Sequence, residues 1–471
     1  MHVSSENIVL AGAGLSALFI AKFVKTHFPE KTVTIVDASS EVGGQFGSID
    51  FGPHGLVDHG MHVYYDCCVP EVDQLIQSAL PDSEWNIYHD NEKDVAGIFF
   101  NGKLQTHSPY PDLRALPADK LARYAGDLLQ SCANPSIDEP QNSYDFLLGQ
   151  FGKSLADEIF VPILEKLHLR HPRELHLLAS RLTAINRVNL FDFDFVAELS
   201  AVEKLRDRIA FPDQMALPRI RVNNQRALYP AKFGFAHATR ALQHELIKMG
   251  VKFHLKSRVN RLGIAADRVS HIHLTDGDQN DHSIECDQLY WAAGLTSLAK
   301  FLGVSLQGFM PERRPPTYFV YFKFGRKPMM DGLYYFYCFD RSFRSFRVTN
   351  YSGYCPQAAN EGFPICVEFW SRESDSLSDA DILSLARREL ESFGVVARDW
   401  IASFSAVYKG NAIPIPSLSN MHSLDRVRDE INQKNLLNLT SVGLLSESHV
   451  FFISEVLRDA YDKVRRNFNL N

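Results

Sequence analysis

The sequence lacks the features that mark secreted, membrane-spanning and zinc-binding proteins. Its seven cysteines are odd in number and scattered, without a CxxC pair, so we expect reduced thiols and a cytoplasmic location. The apolar stretch 8–24 contains two glycines and a lysine, so we expect neither a signal peptide nor a membrane span there. Acidic and histidine side chains such as Asp58, His59 and His62 lack the spacing of zinc motifs, and no metal is expected.

The chain also lacks an excess of basic charge. Its 49 Lys and Arg residues are outnumbered by 56 Asp and Glu residues, the net charge is −7, and no long basic run occurs. Attraction to nucleic acid is therefore not expected. The short basic cluster of Lys463, Arg465 and Arg466 is interpreted as a solvated helix end, and weak peripheral contact with a membrane surface is the alternative.

What the sequence does have is the composition of a globular protein rich in Phe and Tyr. The 471 residues are 45% hydrophobic and 22% charged, which is enough chain for about three domains. The 33 phenylalanines and 17 tyrosines far outnumber the 4 tryptophans, so they supply most of the bulky core. Clusters of tyrosine are candidates for lining a pocket.

Hydrophobic periodicity predicts a βαβ unit at the start of the chain. Residues 7–11 are an apolar run, residues 16–27 have apolar side chains at helical spacing, and residues 32–36 are β-branched. Further on, residues 251–259 are predicted as one strand. Residues 269–274 and 284–292 are predicted as paired strands around a polar turn.

The middle of the chain divides into helical and strand-rich parts. Residues 116–187 have a helical period throughout, whereas residues 188–224 are irregular and are predicted as a loop or lid. Residues 317–408 are strand-rich, interrupted by one helix over 379–393, and predict a mostly antiparallel sheet.

A dinucleotide-binding fingerprint directly follows the first strand. It begins Gly12-Ala13-Gly14-Leu15-Ser16 and ends on a second small residue, Ala17, as in the GxGxxA pattern that binds pyrophosphate at a helix N-terminus. Asp37, followed by Ala38, ends the second strand and is placed to accept hydrogen bonds from ribose hydroxyls. An acidic residue there disfavours the 2′-phosphate of NADP.

A pair of glycines follows a few residues past the acidic residue. Gly43-Gly44-Gln45 resembles the second pyrophosphate contact of the flavoprotein superfamily that includes amine oxidases, protoporphyrinogen oxidases and UDP-galactopyranose mutases, with Gln45 where those families often have an arginine. Later motifs of the superfamily follow in the same order. They are Val57 to His62, Tyr110-Pro111, Tyr229 to Gly234, Leu289 to Gly294 and Gly443 to Glu447.

The resemblance implies FAD as cofactor and a set of site residues. Besides the fingerprint, Asp37, Ala38 and the glycine pair with Gln45, it assigns the following residues to the cofactor: Gly60, Met61, His62, Val259, Gly294, Gly443, Ile453 and Ser454. It gives catalytic roles to His62, over the flavin, and to Arg347, which resembles an arginine that grips a substrate phosphate. Arg347, Tyr335 and His449 are the expected substrate contacts.

Three departures separate the chain from the mutases within that superfamily. Leu444, Ser448 and Phe452 stand where the mutases have an arginine, a tyrosine that contacts the substrate diphosphate, and an acidic residue. The favoured function is therefore an FAD-dependent oxidoreductase acting on a small organic or sugar-nucleotide-like substrate, with an external electron donor or acceptor. One alternative is a mutase that uses reduced FAD without net redox change. Another is a non-catalytic or partner-dependent flavin-fold protein.

The predicted fold is α/β, or α+β overall, with the chain leaving and re-entering its Rossmann-type FAD-binding domain. Residues 1–80, 225–300 and 430–471 are assigned to that domain. Residues 81–115 and 301–429 are assigned to an antiparallel-sheet substrate domain, and residues 116–224 to a helical region with a candidate lid.

Overall fold

A computed structural model describes residues 6–133, 139–183, 185–306, 315–372, 376–410 and 414–470. The chain forms two compact units, each built from separate stretches of sequence. Unit 1 comprises Met1–Ile87, Gln225–Met310 and His422–Asn471, and unit 2 comprises Tyr88–Asn224 and Pro311–Met421. The segments 88–115 and 116–224 thus fall in the same unit as the strand-rich region.

The strands of the described residues are numbered in chain order. They are β1 Asn7–Ala11, β2 Thr32–Val36, β3 Ser48–Asp50, β4 Leu56–Asp58, β5 Tyr64–Tyr65, β6 Trp85–Tyr88, β7 Ala96–Phe100, β8 Lys103–Gln105, β9 Ala227–Pro230, β10 Lys252–His254, β11 Arg258–Ala265, β12 Arg268–Thr275, β13 Asp281–Glu285, β14 Gln288–Trp291, β15 Thr317–Phe324, β16 Tyr335–Cys338, β17 Ser345–Asn350, β18 Phe363–Trp370, β19 Ala402–Gly410 and β20 Leu439–Ser441.

The α-helices are numbered in the same way. They are α1 Leu15–His27, α2 Pro70–Gln77, α3 Ala118–Ala133, α4 Ser143–Phe151, α5 Lys153–Leu155, α6 Val161–His168, α7 Leu178–Leu182, α8 Phe193–Leu199, α9 Glu203–Arg206, α10 Ala236–Lys248, α11 Leu295–Phe301, α12 Tyr351–Tyr354, α13 Asp379–Ser392, α14 Leu418–Asn432 and α15 Ile453–Asn467. Across the described part of the chain, no helix is long and apolar enough to cross a membrane.

Unit 1 is built around a parallel sheet with the strand order β10-β2-β1-β14-β20. Its central strands are apolar runs because both faces of a parallel sheet are covered; β1 and β2 are buried except at their first residue. Helix α1 packs against α10 and α15 and is buried along most of its length. The predicted βαβ unit and the Rossmann-type α/β fold are confirmed.

The region 251–292 differs from the sequence prediction. The chain turns at Lys256, whose φ is +51°, so the predicted strand 251–259 is two strands, β10 in the parallel sheet and β11 in a three-stranded antiparallel sheet. Strand β12 pairs with β13 around the polar turn, but β14 leaves and lies between β1 and β20. Alternating apolar residues do not reveal which sheet a strand joins, and the tertiary partners decide it.

Unit 2 contains a seven-stranded sheet with the order β19-β15-β18-β17-β16-β7-β8. Its pairings are antiparallel except between β16 and β7, which agrees with the predicted mostly antiparallel sheet. The segment 188–224, predicted as an irregular loop or lid, is mostly irregular and also contains the short helices α8 and α9. It is held in place because Val196, Leu205 and Ile209 are buried in the hydrophobic core of this unit.

A buried carboxylate joins three distant segments of unit 1. Asp58 is fully buried and accepts hydrogen bonds from Ser48 Oγ (2.6 Å), Tyr229 Oη (2.5 Å) and the Phe235 amide (2.8 Å). Tyr229 Oη in turn accepts from the amide of Gly234 (3.0 Å). Asp58 therefore holds the hairpin of β3 and β4 to the start of α10, and it is a structural carboxylate.

We predict that the stabilisation due to Asp58 depends on pH. Burial outweighs the three hydrogen bonds and raises the pKa of Asp58 from 3.8 to about 6. A pKa raised on folding means that the stabilising contribution is complete below pH 3.8 and is lost as pH rises through 6. Between about pH 4.5 and 7.5, the unfolding free energy of the wild type relative to Asp58→Asn should fall by about 2 kcal/mol, as measured by urea denaturation.

The control is Asp50→Asn, which removes an exposed carboxylate from the same hairpin. Its difference from the wild type should be the same at both pH values. A difference between wild type and Asp58→Asn that does not change with pH would show that Asp58 does not take up a proton on folding in this window.

Candidate functional site

The first glycine of the fingerprint is required by a close backbone approach. Gly12 follows β1 with a φ of +110°, and its amide donates to the Val36 carbonyl (2.7 Å). A Cβ at this position would lie 3.0 Å from the carbonyl carbon of Ala292. Since both the φ and the space exclude a side chain, Gly12 allows β1 and the end of β14 to meet.

The second glycine faces open space at the start of α1. Gly14 is the N-cap of α1 with a φ of −69°, and no side chain caps the helix. A Cβ on Gly14 would meet no atom within 4 Å. An uncapped helix N-terminus with room beside it is a site for a phosphate, because the first amides of a helix have no partner within the helix.

Asp37 lies beside the fingerprint loop at the end of β2. Its Oδ2 accepts from the Ala13 amide (2.6 Å) and its Oδ1 from the Ser39 amide (2.7 Å). The backbone carbonyl of Asp37 accepts from Ser257, two residues before Val259. A carboxylate offers about four acceptor positions, so these bonds orient Asp37 and leave positions for ribose hydroxyls.

The glycine pair lies directly against the fingerprint loop. The Gly43 amide donates to the Ala13 carbonyl (2.8 Å), and Gly43 forms a bridge with Gly14. A Cβ on Gly43 would be 2.9 Å from Thr239 Oγ1 of α10, and a Cβ on Gly44 would be 3.3 Å from the Gly14 Cα. Gln45 is exposed. The structure thus brings the two predicted phosphate loops together within unit 1.

The segment with His62 is fixed by its neighbours. Gly60 has a φ of +78° and donates to the Asp58 carbonyl (2.8 Å), and Met61 follows, half-buried. The His62 ring packs edge-on against Phe46 at a centroid distance of 5.4 Å. Burial lowers the pKa of the neighbouring His59, which disfavours its charged form.

The later motifs also come to the same end of the parallel sheet. Gly294 follows β14 with a φ of +89°, and Gly443 follows β20 with a φ of +99°. A Cβ on Gly443 would be 3.8 Å from Ser16 Oγ at the start of α1. Ile453 and Ser454 begin α15 and are half-buried, and His449 is exposed in the loop before it. Val259 lies on β11, in the antiparallel sheet.

The other two predicted contacts, Arg347 and Tyr335, lie in unit 2. Arg347 Nε and Nη2 donate to the two oxygens of Glu368 at 2.6 and 2.7 Å, and the Glu368 side chain is only 2% exposed. Burial by itself lowers the pKa of Arg347, but the Glu368 carboxylate and the Tyr337 side chain together outweigh it and raise that pKa above its ordinary value. Glu368 was not predicted from the sequence, because nothing in the spacing of β17 and β18 reveals their register.

Comparisons with known proteins agree with this geometry. Residues 11–78 match the model of the NAD(P)-binding Rossmann-like domain family, and no curated protein matches the chain. A solved structure of reduced UDP-galactopyranose mutase is similar over 100% of this chain and 95% of its own, with 15% identity and a TM-score of 0.76.

Two further solved structures are similar over nearly the whole length. One is described as a candidate protoporphyrinogen oxidase from Exiguobacterium sp. 255-15, with 14% identity, a TM-score of 0.69, and coverage of 99% of this chain and 100% of its own. The other is an oxidoreductase from Methanosarcina mazei, with 11% identity, a TM-score of 0.61, and coverage of 98% and 100%. The chain therefore matches a Rossmann-like domain at residues 11–78 and shares its fold with these solved structures over nearly its whole length.

Proposed function

We propose that the chain is an FAD-dependent oxidoreductase that acts on a small organic or sugar-nucleotide-like substrate. The observation that carries the proposal is the open space beside Gly14 at the uncapped start of α1, next to the oriented carboxylate of Asp37. Phosphate groups and a ribose need these two neighbouring features. Unit 1 is the proposed cofactor-binding part.

The described residues fit a dinucleotide with two phosphates. Backbone amides at the start of α1 and in the Gly43-Gly44 loop are the proposed donors to the pyrophosphate, and both loops lack side chains that would fill the space. Asp37 is the proposed partner of the ribose, and Val259 and Ala38 of the adenine end. Gly60, Met61 and His62 are the proposed contacts of the isoalloxazine, with Gly294, Gly443, Ile453 and Ser454 at the adjoining strand and helix ends.

FAD supplies the hydride and electron chemistry of such enzymes, and the protein supplies binding and orientation. We propose that His62 shapes the flavin face, where the ring contact with Phe46 fixes its orientation. Arg347 is the proposed partner of an anionic group of the substrate, with Tyr335 and His449 as further contacts. Glu368 takes two of the five N–H groups of Arg347, which leaves donors for an anion.

A mutase reaction is the second candidate, supported by the similarity to a UDP-galactopyranose mutase structure over the whole chain. Against it, Leu444, Ser448 and Phe452 replace three mutase residues. The two functions differ in electron balance. An oxidoreductase transfers electrons stoichiometrically to an acceptor, whereas a mutase requires reduced flavin and yields a product isomeric with its substrate.

We predict that Gly14→Ala weakens FAD binding without unfolding the protein. The new methyl group meets no protein atom within 4 Å and the φ of −69° suits alanine, so the melting temperature of FAD-free protein should not change. The methyl group would occupy the space proposed for the pyrophosphate. Affinity for FAD should fall about tenfold or more, which corresponds to a clash of about 1.4 kcal/mol, as measured by titrating FAD-free protein.

Gly126→Ala is the matched control, because a Cβ on this exposed helical glycine also meets nothing within 4 Å. It should bind FAD as the wild type does. Purified wild-type protein without flavin absorbance, which neither releases FAD on denaturation nor binds added FAD, would overturn the proposal.

We predict that replacing Arg347 alone destabilises the protein strongly, whereas replacing Arg347 and Glu368 together does not. Arg347→Ala leaves the Glu368 carboxylate buried without its cation and should cost about 3–5 kcal/mol of unfolding free energy. Replacing both residues with methionine should recover most of that stability, as measured by urea denaturation. The double variant then isolates the role of Arg347 in binding, since it should retain FAD and lose affinity for an anionic substrate. Equal stability of Arg347→Ala and wild type would contradict the prediction.

A further inference from the structure

A cavity lies entirely within unit 2. Its volume is about 230 Å³. It is bordered by residues 90–94 before β7, by residues 108–110 after β8 and by residues of the segment 187–222. An apolar cavity of about 150 Å³ already holds a benzene molecule, so this one has room for a small organic ligand. It does not depend on the proposed cofactor, because none of its lining residues belongs to unit 1.

Within the described part of the chain, two arginines line this cavity without a carboxylate close enough for a hydrogen bond to the guanidinium group. Arg187 donates from Nη1 to Tyr110 Oη (3.1 Å), and its nearest carboxylate is the exposed Asp207, 3.9 Å from Nη2. Arg221 donates from Nη2 to Ser200 Oγ and to the Ile209 carbonyl, both at 3.3 Å. Among the described residues, no carboxylate lies within 4.0 Å of Arg221. Both arginines keep a buried Nε without a hydrogen-bond partner.

The two guanidinium groups also destabilise each other. Burial, and then the positive charge of Arg187, lower the pKa of Arg221 to about 10. A buried donor without an acceptor costs free energy, and so do like charges at short range. An anion in the cavity would remove both costs, because a carboxylate or phosphate accepts charge-assisted hydrogen bonds from guanidinium.

The other charges of the cavity leave it positive. Lys93 is a third cation, and its Nζ donates to Asn223. Two carboxylates, Asp90 and Asp94, also line the cavity, but Asp90 is bound by Arg219 (2.8 Å), which lies outside the lining.

Apolar and aromatic groups form much of the remaining wall, together with the polar Asn91, Ser108 and Gln214. The Phe211 ring lies 5.5 Å from the Arg221 guanidinium, the Tyr110 ring lies 5.9 Å from that of Arg187, and Leu217 and Ile209 complete the surface. Apolar walls with a few convergent polar groups are the usual composition of a small-molecule site.

We propose that unit 2 contains a binding site for a small organic anion. Arg187 and Arg221 hold its carboxylate or phosphate group, and Tyr110 and Phe211 contact its body. The ligand class is thus an oxyanion attached to a planar or apolar group.

The test uses the wild-type chain and four probes: benzoate, phenyl phosphate, inorganic phosphate and the neutral benzyl alcohol. Binding is measured by calorimetric titration and by the rise in melting temperature, since a ligand of the native state raises it. Benzoate or phenyl phosphate should bind and raise the melting temperature, and benzyl alcohol should do neither. Benzoate as the stronger ligand identifies a carboxylate, and phenyl phosphate as the stronger identifies a phosphate monoester; inorganic phosphate shows what the apolar walls contribute.

Arg221→Leu should lower the affinity for the anion about tenfold or more, which corresponds to a loss of about 1.4 kcal/mol of binding free energy. Because it also removes a like charge, it should not lower the melting temperature of the ligand-free protein. Arg187→Gln is the second variant and should also lower the affinity for the anion. Arg206→Gln, a neighbouring arginine that does not line the cavity, should bind like the wild type. The proposal is overturned if no anion binds the wild type, or if binding persists unchanged in both cavity variants.

Discussion

The buried carboxylate of Asp58 is the interaction on which the arrangement of the proposed cofactor loops depends. It fixes the amide of Phe235 and thereby the start of α10. Thr239 on that helix lies against Gly43, which in turn is hydrogen-bonded to Ala13 in the fingerprint loop. Asp58 thus links the hairpin of β3 and β4, through Ser48, to Tyr229 and to Phe235 before the helix that packs against the Gly43 loop.

Unit 2 shows how differently a buried arginine behaves with and without a carboxylate. In Arg347 the guanidinium is matched by both oxygens of Glu368 across neighbouring strands, so its charge is stabilised. Arg187 and Arg221 instead have each other, hydroxyls, a carbonyl and aromatic rings as neighbours, and the carboxylate nearest to Arg187 is the exposed Asp207 at 3.9 Å. The first arrangement contributes to a stable sheet. The second is costly unless a ligand completes it, which is typical of a binding site.

Much of the fold was predictable because its signals are local. The period of residues 7–36 and the helical period of residues 116–187 each depend on near neighbours in sequence. The prediction of one strand over 251–259 was wrong because the chain turns at Lys256. The region 188–224 is mostly irregular, as predicted, but its sequence did not reveal that Val196 and Ile209 are buried in the core of unit 2. Of the candidate site, the residue types of the glycine loops were predictable; the bond of Asp37 to Ala13 and the partner of Arg347 were not.

The sequence by itself determined that a glycine-rich fingerprint follows the first strand of this chain and that an acidic residue follows the second. Those features follow from steric limits on glycine and from the fixed length of a βαβ unit. Only the tertiary structure decided which sheet β14 joins and that the buried Asp58 carboxylate links distant segments. It alone also decided that Glu368 pairs with the guanidinium of Arg347 and that Arg187 and Arg221 line the same cavity. The reason is that pairing, burial and charge neutralisation depend on residues far apart in sequence, whose contacts arise only when the chain is packed.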